Sequence, residues 1–435
     1  MMRTIDLRGI DLATADLRTL VPRPVVNIEV ASQAASELIA AVRERGAEAL
    51  HDQSERFDGI RPNSLRVPAD AIAAAVDGLD PTVRAALDEA IVRVRKGSAA
   101  QVPAPQTTTL ADGATVSQRW QPVDRAGLYV PGGKAPLASS VIMSAVPAQV
   151  AGVRSLALAS PAQKEFGGLP HPTILAAAGL LGVDEVWAMG GAGAIGALAY
   201  GVPDVGLDPV QIITGPGNIY VAAAKRLVRG IVGIDAEAGT TEILIIADKT
   251  ASPTLVAADL LSQAEHDEAA ASVLVTDSPE LADAAAEALE RLVAATANSQ
   301  RAATALAGPQ SAIMLVDDEM AAAAISNAYG PEHLELHTVD PRATLANVTD
   351  AGAIFLGNYS PVSLGDYMAG SNHVLPTGGA ARFSSALGAY SFLRPQQIIE
   401  YDRSALASVR DRIIDFAGAE ALPAHGEAVA VRFDG

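Results

Sequence analysis

Apolar positions along the chain follow a helical period in some segments and form short continuous runs in others. Helical spacing predicts helices at about Gln33–Arg45 and Pro81–Arg95, and Ser-Pro pairs predict two further helix starts at Ser252 and Ser278. The runs between helices predict strands at Val186–Ala188, Gln211–Ile213, Ile243–Ile246, Val273–Val275 and Ile313–Val316. This alternation predicts parallel sheets with helices on both faces.

The alternating pattern occupies two stretches, roughly 125–235 and 240–360. We therefore predict an α/β protein with two parallel-sheet units. The last 55 residues or so return to helical character, and we predict smaller helical segments at both the N-terminal and the C-terminal end of the chain.

Composition narrows the classes of partner. The 435 residues include 31 basic and 50 acidic side chains, a net charge of −19, which would repel nucleic acid and anionic membranes. There is no cysteine, so any metal must be held by His, Asp, Glu or amide oxygens. Because neither a signal peptide nor an apolar run of ~18–20 residues is present, we expect a soluble cytoplasmic protein.

Two glycine motifs follow predicted strands. Gly191, Gly193 and Gly196 form G-x-G-x-x-G, which suits a dinucleotide pyrophosphate but also arises from tight helix packing. The segment Gly215–Asn218 lies between a strand and a helix, where backbone N–H groups could bind a phosphate and Asn218 could offer its amide. The alternative for this second motif is an ordinary helix cap.

Candidate metal ligands and bases lie further along the chain. Gln263 and His266 are three apart in the helix predicted from Ser252, so they share a face and could bind one metal ion, or be ordinary polar residues. Glu332 and His333 are adjacent at what we expect to be a helix start. They could act as two proton acceptors, with the imidazole near its usual pKa of about 6.5, or simply stabilise a helix N-terminus.

Two later segments carry further polar groups. A Gly-punctuated stretch contains Asp366 and His373, and it is too long and too polar for a simple turn. Glu420 and His425 lie on the last predicted helix and just past its end.

Taken together, these segments resemble the histidinol dehydrogenase family, and the resemblance runs essentially end to end. It rests on Tyr129-Val-Pro-Gly-Gly-Lys, Ser139-Ser-Val-Ile-Met, Thr214-Gly-Pro-Gly-Asn-Ile-Tyr-Val, Ser262-Gln-Ala-Glu-His-Asp, Gly330-Pro-Glu-His-Leu-Glu, Gly365-Asp-Tyr, Asn372-His-Val-Leu-Pro-Thr and Glu420 five residues before His425. Long motifs in this order are highly specific.

The resemblance implies a zinc-dependent, NAD-linked oxidation of L-histidinol through its aldehyde to L-histidine, the last steps of histidine biosynthesis. It implies one Zn²⁺ per subunit, with the ligands Gln263, His266, Asp366 and His425. Glu332 and His333 match the catalytic bases, and Tyr129 and Asn218 match the NAD contacts. The residues that match substrate contacts are Thr241, Gln263, His266, His333, Asp366, Glu420 and His425.

The same resemblance implies an intertwined homodimer of two Rossmann-like units, in which Glu420 and His425 serve the other subunit. The predicted division is an N-terminal segment (1–23), an α/β domain with the metal and base residues (24–124 plus 239–380), an α/β NAD-binding domain (125–238) and a C-terminal helical segment (381–435).

The chain departs from the family pattern in four places. Gly193 stands where the family has a cofactor-contacting glutamine. The G-x-G-x-x-G of this chain therefore exists only because of that substitution and is not the family's nucleotide-binding motif. Thr240-Thr241 replaces Pro-Ser, Leu137-Ala138 replaces Tyr-Pro, and Ser144 replaces Asn.

Two other functions are compatible with parts of this pattern. One is a paralogous zinc/NAD alcohol dehydrogenase acting on another small polyol such as a sulfonated diol, although the carboxylate of Glu420 would repel a sulfonate. The other is a catalytically silent nucleotide-binding or scaffold protein, which would require a broken set of metal or base residues.

Overall fold

The structure is a computed structural model that describes residues 2–11, 14–24, 28–132, 136–237 and 239–434. It divides into two compact units. Unit 1 comprises residues up to 101 together with 124–392, and unit 2 comprises 102–123 together with 393 to the C-terminus. In the described part of the chain, no helix has both the length and the apolarity that crossing a membrane requires.

The strands, in chain order, are β1 (Arg3–Asp6), β2 (Gln106–Ala111), β3 (Ala114–Pro122), β4 (Arg125–Tyr129), β5 (Ser155–Ser160), β6 (Val186–Ala188), β7 (Ile212–Thr214), β8 (Gly233–Ile234), β9 (Glu242–Ala247), β10 (Ala271–Thr276), β11 (Ala312–Leu315), β12 (His333–His337), β13 (Ala353–Leu356) and β14 (Leu393–Tyr401).

The α-helices are α1 (Leu17–Leu20), α2 (Ile28–Arg45), α3 (Ala47–Phe57), α4 (Ala69–Asp77), α5 (Pro81–Ala99), α6 (Ala138–Ala151), α7 (Pro172–Leu180), α8 (Gly191–Tyr200), α9 (Ile219–Val228), α10 (Pro253–Ala264), α11 (Pro279–Ala295), α12 (Ser299–Ala307), α13 (Glu319–Tyr329), α14 (Pro341–Leu345), α15 (Val362–Tyr367), α16 (Arg403–Ala419) and α17 (Pro423–Ala430).

Unit 1 contains two parallel sheets. The six-stranded sheet has the order β1-β11-β10-β9-β12-β13, and the five-stranded sheet has the order β6-β5-β4-β7-β8. All strand pairs in both sheets are parallel. Apart from the added edge strand β1, each sheet follows the order 3-2-1-4-5 when its strands are numbered along the chain, which is the order of doubly wound nucleotide-binding folds.

The six-stranded sheet is covered on both faces, and this explains the continuous apolar run of β9. Ile243 and Ile245 pack with α10, α11 and α12 on one face. Leu244 and Ile246 pack with α13 on the other. A strand buried on both faces loses the alternation of apolar and polar residues, so a run such as EILIIA is the expected sequence.

Unit 2 contains an antiparallel sheet with the order β14-β3-β2, together with α16 and α17. β2 and β3 form a hairpin, with Asp112 and Gly113 in the turn. Gly113 has a φ of 76°, a left-handed value typical of such turns. β14 pairs with the whole length of β3, from Leu393 opposite Pro122 to Tyr401 opposite Ala114.

Several sequence predictions are confirmed here. The two parallel-sheet units occupy the predicted stretches, and the five predicted strands appear as β6, β7, β9, β10 and β11. Helices α10 and α11 begin at the prolines after Ser252 and Ser278, as expected. The four-part division of the chain into domains stays a prediction.

Four local predictions are wrong. The C-terminal segment is not purely helical, because β14 precedes its helices, and the N-terminal segment contains strand β1. Glu332 does not start a helix but directly precedes β12, because β9 and β13 both pair with this segment. His266 lies just beyond α10, which ends at Ala264, although the turn continues through a hydrogen bond from the backbone N–H of His266 to the carbonyl oxygen of Gln263 at 3.3 Å.

Candidate active site

The candidate catalytic residues lie at the amino edge of the six-stranded sheet. Thr241 precedes β9 and Glu332 precedes β12, and these two strands are neighbours. Gln263 lies in the last turn of α10, which runs back from the carboxyl edge of the sheet, and its side-chain Nε2 donates to Thr241 Oγ at 2.6 Å. Strand starts and a helix end therefore meet at one place.

Glu332 is buried and held by two donors. The Thr241 hydroxyl donates to Glu332 Oε2 at 2.6 Å, and the backbone N–H of Glu242 donates to the same oxygen at 2.9 Å. Burial raises the pKa of the Glu332 carboxyl well above its usual range, although both hydrogen bonds act in the opposite direction. When ionised, this carboxylate is consequently a stronger base than an exposed glutamate.

His333 is also buried, and its tautomer follows from its surroundings. Its Nδ1 lies 3.2 Å from the carbonyl oxygen of Glu242, which can only accept, so Nδ1 carries a proton and Nε2 keeps its lone pair. Burial lowers the pKa of His333 to about 4, in place of the value near 6.5 expected from the sequence. The imidazole is therefore neutral at neutral pH and ready to accept a proton.

Glu242 thus holds both members of the pair through its backbone, and sequence reasoning missed it. Its own side chain is buried and accepts hydrogen bonds from Arg23 Nη1 at 2.7 Å, Tyr329 Oη at 3.2 Å and the backbone N–H of Gly378 at 3.0 Å. A buried carboxylate is stabilised only when it is paired in this way. The sequence signal that could have revealed Glu242 is a glutamate at the start of an otherwise apolar strand.

Gln263 and His266 have the donor groups that a zinc ion requires. The side-chain Oε1 of Gln263 is buried and has no hydrogen-bond partner among the described residues. His266 Nδ1 faces the carbonyl oxygen of Ser262 at 3.0 Å, so Nδ1 carries the proton and Nε2 has the lone pair that a metal ion could accept, as is usual for zinc-binding histidines. Both residues therefore fit the predicted metal.

Asp366 and His373 belong to the same neighbourhood. The charge of Asp366 acts on the pKa of His333, Glu332 and His373, and the charge of His266 acts on the two histidines. Asp366 lies near the end of α15, and His373 lies in the loop that follows. The sequence had singled out this loop without giving His373 a role in the site.

The loop at 371–377 also contacts the five-stranded half of unit 1. His373 Nε2 lies 3.1 Å from Ser139 Oγ on α6, and Asn372 Nδ2 donates to the carbonyl oxygen of Met143 on the same helix at 2.7 Å. The two α/β halves are therefore joined next to the acid–base pair.

The predicted cofactor residues lie at the carboxyl edge of the five-stranded sheet. Tyr129 ends β4, and its hydroxyl accepts from the backbone N–H of Gly191 at 3.1 Å. Gly215 follows β7 at a φ of 121°, and a Cβ there would lie 2.0 Å from the carbonyl oxygen of Tyr129, so only glycine fits. Asn218 caps α9, with its Oδ1 accepting from two backbone N–H groups, so the helix-cap interpretation is confirmed for that oxygen.

A buried ion pair shapes this glycine loop, and sequence reasoning missed it. Lys225 on α9 pairs with Asp235, and its Nζ donates to the carbonyl oxygen of Gly215 at 3.0 Å. Asp235 accepts in turn from the backbone N–H of Gly215 at 2.8 Å. Lys225 is only 1% exposed, so the pair is fully desolvated.

Gly193 lies inside α8, and the space beside it is occupied. A Cβ at this position would lie 2.0 Å from the side-chain Oε1 of Gln53 on α3. Gln53 is itself tethered, because its Nε2 donates to the carbonyl oxygen of Leu38 at 3.1 Å. An amide from another helix thus takes the volume in which the family's glutamine side chain would begin.

Glu420 and His425 belong to unit 2. Glu420 caps the C-terminus of α16, and His425 lies in the first turn of α17, so it is within a short helix and not merely past the end of one. Both side chains are exposed.

Comparisons with known proteins agree with one another. The family model for histidinol dehydrogenase matches residues 21–433. A histidinol dehydrogenase from Leifsonia xyli subsp. xyli is 66% identical over 433 residues, covering 100% of this chain and 99% of the relative. One from Corynebacterium glutamicum is 55% identical, with 100% and 98% covered. The crystal structure of histidinol dehydrogenase from Elizabethkingia anophelis superposes with a TM-score of 0.93 at 33% identity, covering 99% of this chain and 98% of that one.

The α/β fold, the buried acid–base pair and these relatives define the class of the protein as an oxidoreductase. The chain belongs to the histidinol dehydrogenase family.

Proposed function

We propose that the chain catalyses the zinc-dependent, NAD-linked oxidation of L-histidinol through L-histidinaldehyde to L-histidine, the last steps of histidine biosynthesis. The overall reaction converts the primary alcohol, water and two NAD⁺ into the carboxylate, two NADH and three protons. The observation that carries the proposal is the neutral, tautomerically fixed imidazole of His333 beside the buried carboxyl of Glu332.

The zinc ligands in this proposal are Gln263, His266, Asp366 and His425, one ion per subunit. Two observations support the assignment: Gln263 Oε1 has no hydrogen-bond partner among the described residues, and the tautomer of His266 leaves a lone pair on Nε2. When bound, the ion would hold the amine and imidazole of the substrate by Lewis-acid coordination. The end of α10 adds a partial negative charge near these ligands, which favours a cation.

His333 is the base for the first oxidation. Its Nε2 takes the proton of the substrate hydroxyl while a hydride leaves the carbon that bears this hydroxyl and passes to NAD⁺. The Nδ1–H bond to the carbonyl oxygen of Glu242 keeps Nε2 directed away from the backbone and stabilises the imidazolium that forms.

Glu332 is the base for the second oxidation, which requires the aldehyde to be hydrated. Both of its donors bond Oε2, so Oε1 is the oxygen that can take a proton from water as that water adds to the aldehyde carbon. Hydride then leaves the hydrated carbon for a second NAD⁺, and the acid is formed. The raised pKa of Glu332 makes its ionised form a suitable base for this step.

NAD binds, in this proposal, at the carboxyl edge of the five-stranded sheet, with contacts from Tyr129 and Asn218. Asn218 uses Oδ1 in its helix cap, which leaves Nδ2 for the cofactor. Thr241, Glu420 and the metal ligands contact the substrate. Glu420 and His425 come from the other subunit of an intertwined homodimer.

The deciding experiment measures NADH formation by the purified protein with histidinol and with a panel of small alcohols that includes a sulfonated diol, and also determines the zinc content. Two NADH per histidinol, one zinc per chain and little turnover of the other alcohols are expected. Preferred oxidation of another polyol would overturn the substrate assignment, and full activity of metal-stripped protein would overturn the zinc site.

A further inference from the structure

Three buried titratable side chains outside the proposed chemistry form a connected group on the six-stranded sheet. Asp259, Glu335 and His337 place their ligand-type atoms within 4.8 Å of one another. His337 Nε2 lies 3.1 Å from Glu335 Oε2 and 3.9 Å from Asp259 Oδ2. Glu335 is 0% exposed, so its charge and hydrogen bonds must be satisfied within the protein.

Each member of the group lies on an element that carries a candidate site residue. Asp259 is one turn before Gln263 on α10, so the two lie on the same side of that helix. Glu335 is two residues after His333 on β12, so their side chains leave the same face of the sheet. The remaining carboxylate oxygen of Glu335, Oε1, accepts from the backbone N–H of Val362 at 2.9 Å.

Val362 is the first residue of α15, and Asp366 lies one turn later on this six-residue helix. The N–H groups of a first helical turn have no partner within the helix. The Glu335 carboxylate supplies one at this end, which fixes where α15 begins. A single side chain therefore connects the strand of the catalytic bases with the helices of two predicted metal ligands.

The imidazole of His337 has a partner on each side. His337 Nδ1 faces Asn358 Oδ1 at 3.2 Å, so both ring nitrogens have partners. Burial lowers the pKa of His337, but the hydrogen bond and charge of Glu335 outweigh this and raise it. Burial and the charge of Glu335 raise the pKa of Asp259 to about 7. The charge and the hydrogen bond of Glu335 thus act on both of its neighbours in the group.

We propose that Glu335 is a positioning residue, which joins β12, α10 and α15 so that Gln263 and Asp366 are arranged for zinc before the ion binds. This inference rests on the proposed zinc site. Metal affinity depends on residues that position the ligands without touching the ion, and loss of such a residue typically lowers the affinity about 10–100-fold.

The test compares the zinc affinity of the full-length, metal-stripped protein with that of variants, by competition with a chelating dye. Glu335→Leu is expected to lower zinc affinity about 10–100-fold. Glu335→Gln keeps an acceptor for the Val362 N–H, and its amide N–H groups can donate to the Asp259 carboxylate and to the Nε2 lone pair of a neutral His337, so its affinity should stay within about threefold of wild type. The matched control is Thr344→Val, which removes the buried hydrogen bond to Thr338 at the opposite end of β12 and should leave zinc affinity unchanged.

A backbone variant covers the case in which Glu335→Leu fails to fold. Val362→Pro removes the N–H that donates to Glu335 and replaces a buried valine by another apolar side chain, at a first-turn position where proline is tolerated. It should lower zinc affinity several-fold. Melting temperatures are measured throughout, because a merely structural role predicts that affinity follows stability in every variant, including Thr344→Val.

Wild-type affinity in both Glu335→Leu and Val362→Pro would overturn the inference, as would a loss in Thr344→Val as large as in Glu335→Leu. Two zinc ions per wild-type chain, one of them lost in Glu335→Leu, would show instead that the group is itself a metal site. Absence of zinc binding by wild-type protein would refute the proposed zinc site, a result distinct from normal binding that is insensitive to Glu335.

Discussion

The five-stranded and six-stranded sheets share a strand order, but their candidate site residues lie at opposite edges. In the five-stranded sheet, Tyr129 and Gly215 follow strands at the carboxyl edge, where α8 and α9 begin. In the six-stranded sheet, Thr241 and Glu332 precede strands at the amino edge, where α10 ends. The two edges therefore offer opposite ends of the helix dipole.

This difference matches the chemistry proposed for each sheet. Helix starts present free N–H groups and a partial positive charge, which suit the phosphates of a dinucleotide. A helix end presents carbonyl groups and a partial negative charge, which suit a cation. Strand order alone therefore does not locate a site, because two sheets of the same strand order carry their candidate site residues at opposite edges.

The largest expected effect tests the proposal that two subunits share each zinc site. His333→Asn and His425→Asn should each be inactive. If the tail serves the other subunit, a hybrid dimer has one site with both histidines intact, so random reassociation restores about a quarter of wild-type activity. The measurement is the NADH rate after dissociation and mixing, with subunit exchange verified by mass. No recovery despite complete exchange would place the tail in its own subunit's site.

The next effect separates the two bases at the amino edge. Removing a general base typically costs ~10²–10⁴-fold, so His333→Asn should slow alcohol oxidation by that factor. Glu332→Gln should slow the overall reaction while sparing aldehyde reduction by NADH. Both half-reactions are measured for each variant, with the melting temperature. His171→Asn, which keeps a helix-capping side chain on α7, is the matched control and should retain activity. Equal loss of both half-reactions in Glu332→Gln would contradict the division of labour.

A third prediction tests whether the carboxyl edge of the five-stranded sheet can be perturbed without affecting the proposed zinc site at the amino edge of the six-stranded sheet. Lys225→Met leaves the carboxylate of Asp235 buried without its cation, which should cost about 3–5 kcal/mol of unfolding free energy and raise the KM for NAD⁺. Zinc content should not change. Denaturant unfolding, NAD⁺ kinetics and metal analysis decide the matter, and adding Asp235→Asn should recover part of the stability. Loss of zinc in Lys225→Met would mean that the two edges are coupled.

A fourth prediction uses the pKa of His333 in the metal-free protein. Its pKa is about 4 when folded and about 6.5 when unfolded, so the unfolded state binds the extra proton first as the pH falls. The stabilisation is complete above pH 6.5 and is lost as the pH falls through 4, by about 3 kcal/mol in total. Unfolding free energies across this range should show a shallower slope in His333→Asn. The same slope in both proteins would exclude a buried neutral imidazole.

The smallest effect concerns Gln53, whose amide fills the space beside Gly193. If this amide faces the cofactor, Gln53→Ala should raise the KM for NAD⁺ about two- to tenfold, the usual worth of one neutral hydrogen bond. Gln33→Ala on the outer surface of α2 is the control. An unchanged KM would leave Gln53 as a packing residue only.

Sequence reasoning succeeded where a signal is local. The proline after Ser252 marked the start of α10, and the apolar run at Ile243–Ile246 marked a strand buried on both faces. It failed for the β2–β3 hairpin, although Asp112-Gly113 between threonine-rich segments is a typical hairpin turn. It also placed Glu332 at a helix start, since a Gly-Pro turn followed by an acid precedes helices and strands alike.

By itself, the sequence determined the fold class, the family and the candidate residues, because periodicity, turn residues and long motifs are properties of neighbouring positions in the chain. Only the tertiary structure decided how those residues behave. The pKa of His333 depends on burial, its tautomer depends on the carbonyl oxygen of Glu242 about 90 residues away, and the group around Glu335 joins three elements distant in sequence. Desolvation and hydrogen bonding act through space between groups that only folding brings together, so no local pattern encodes them.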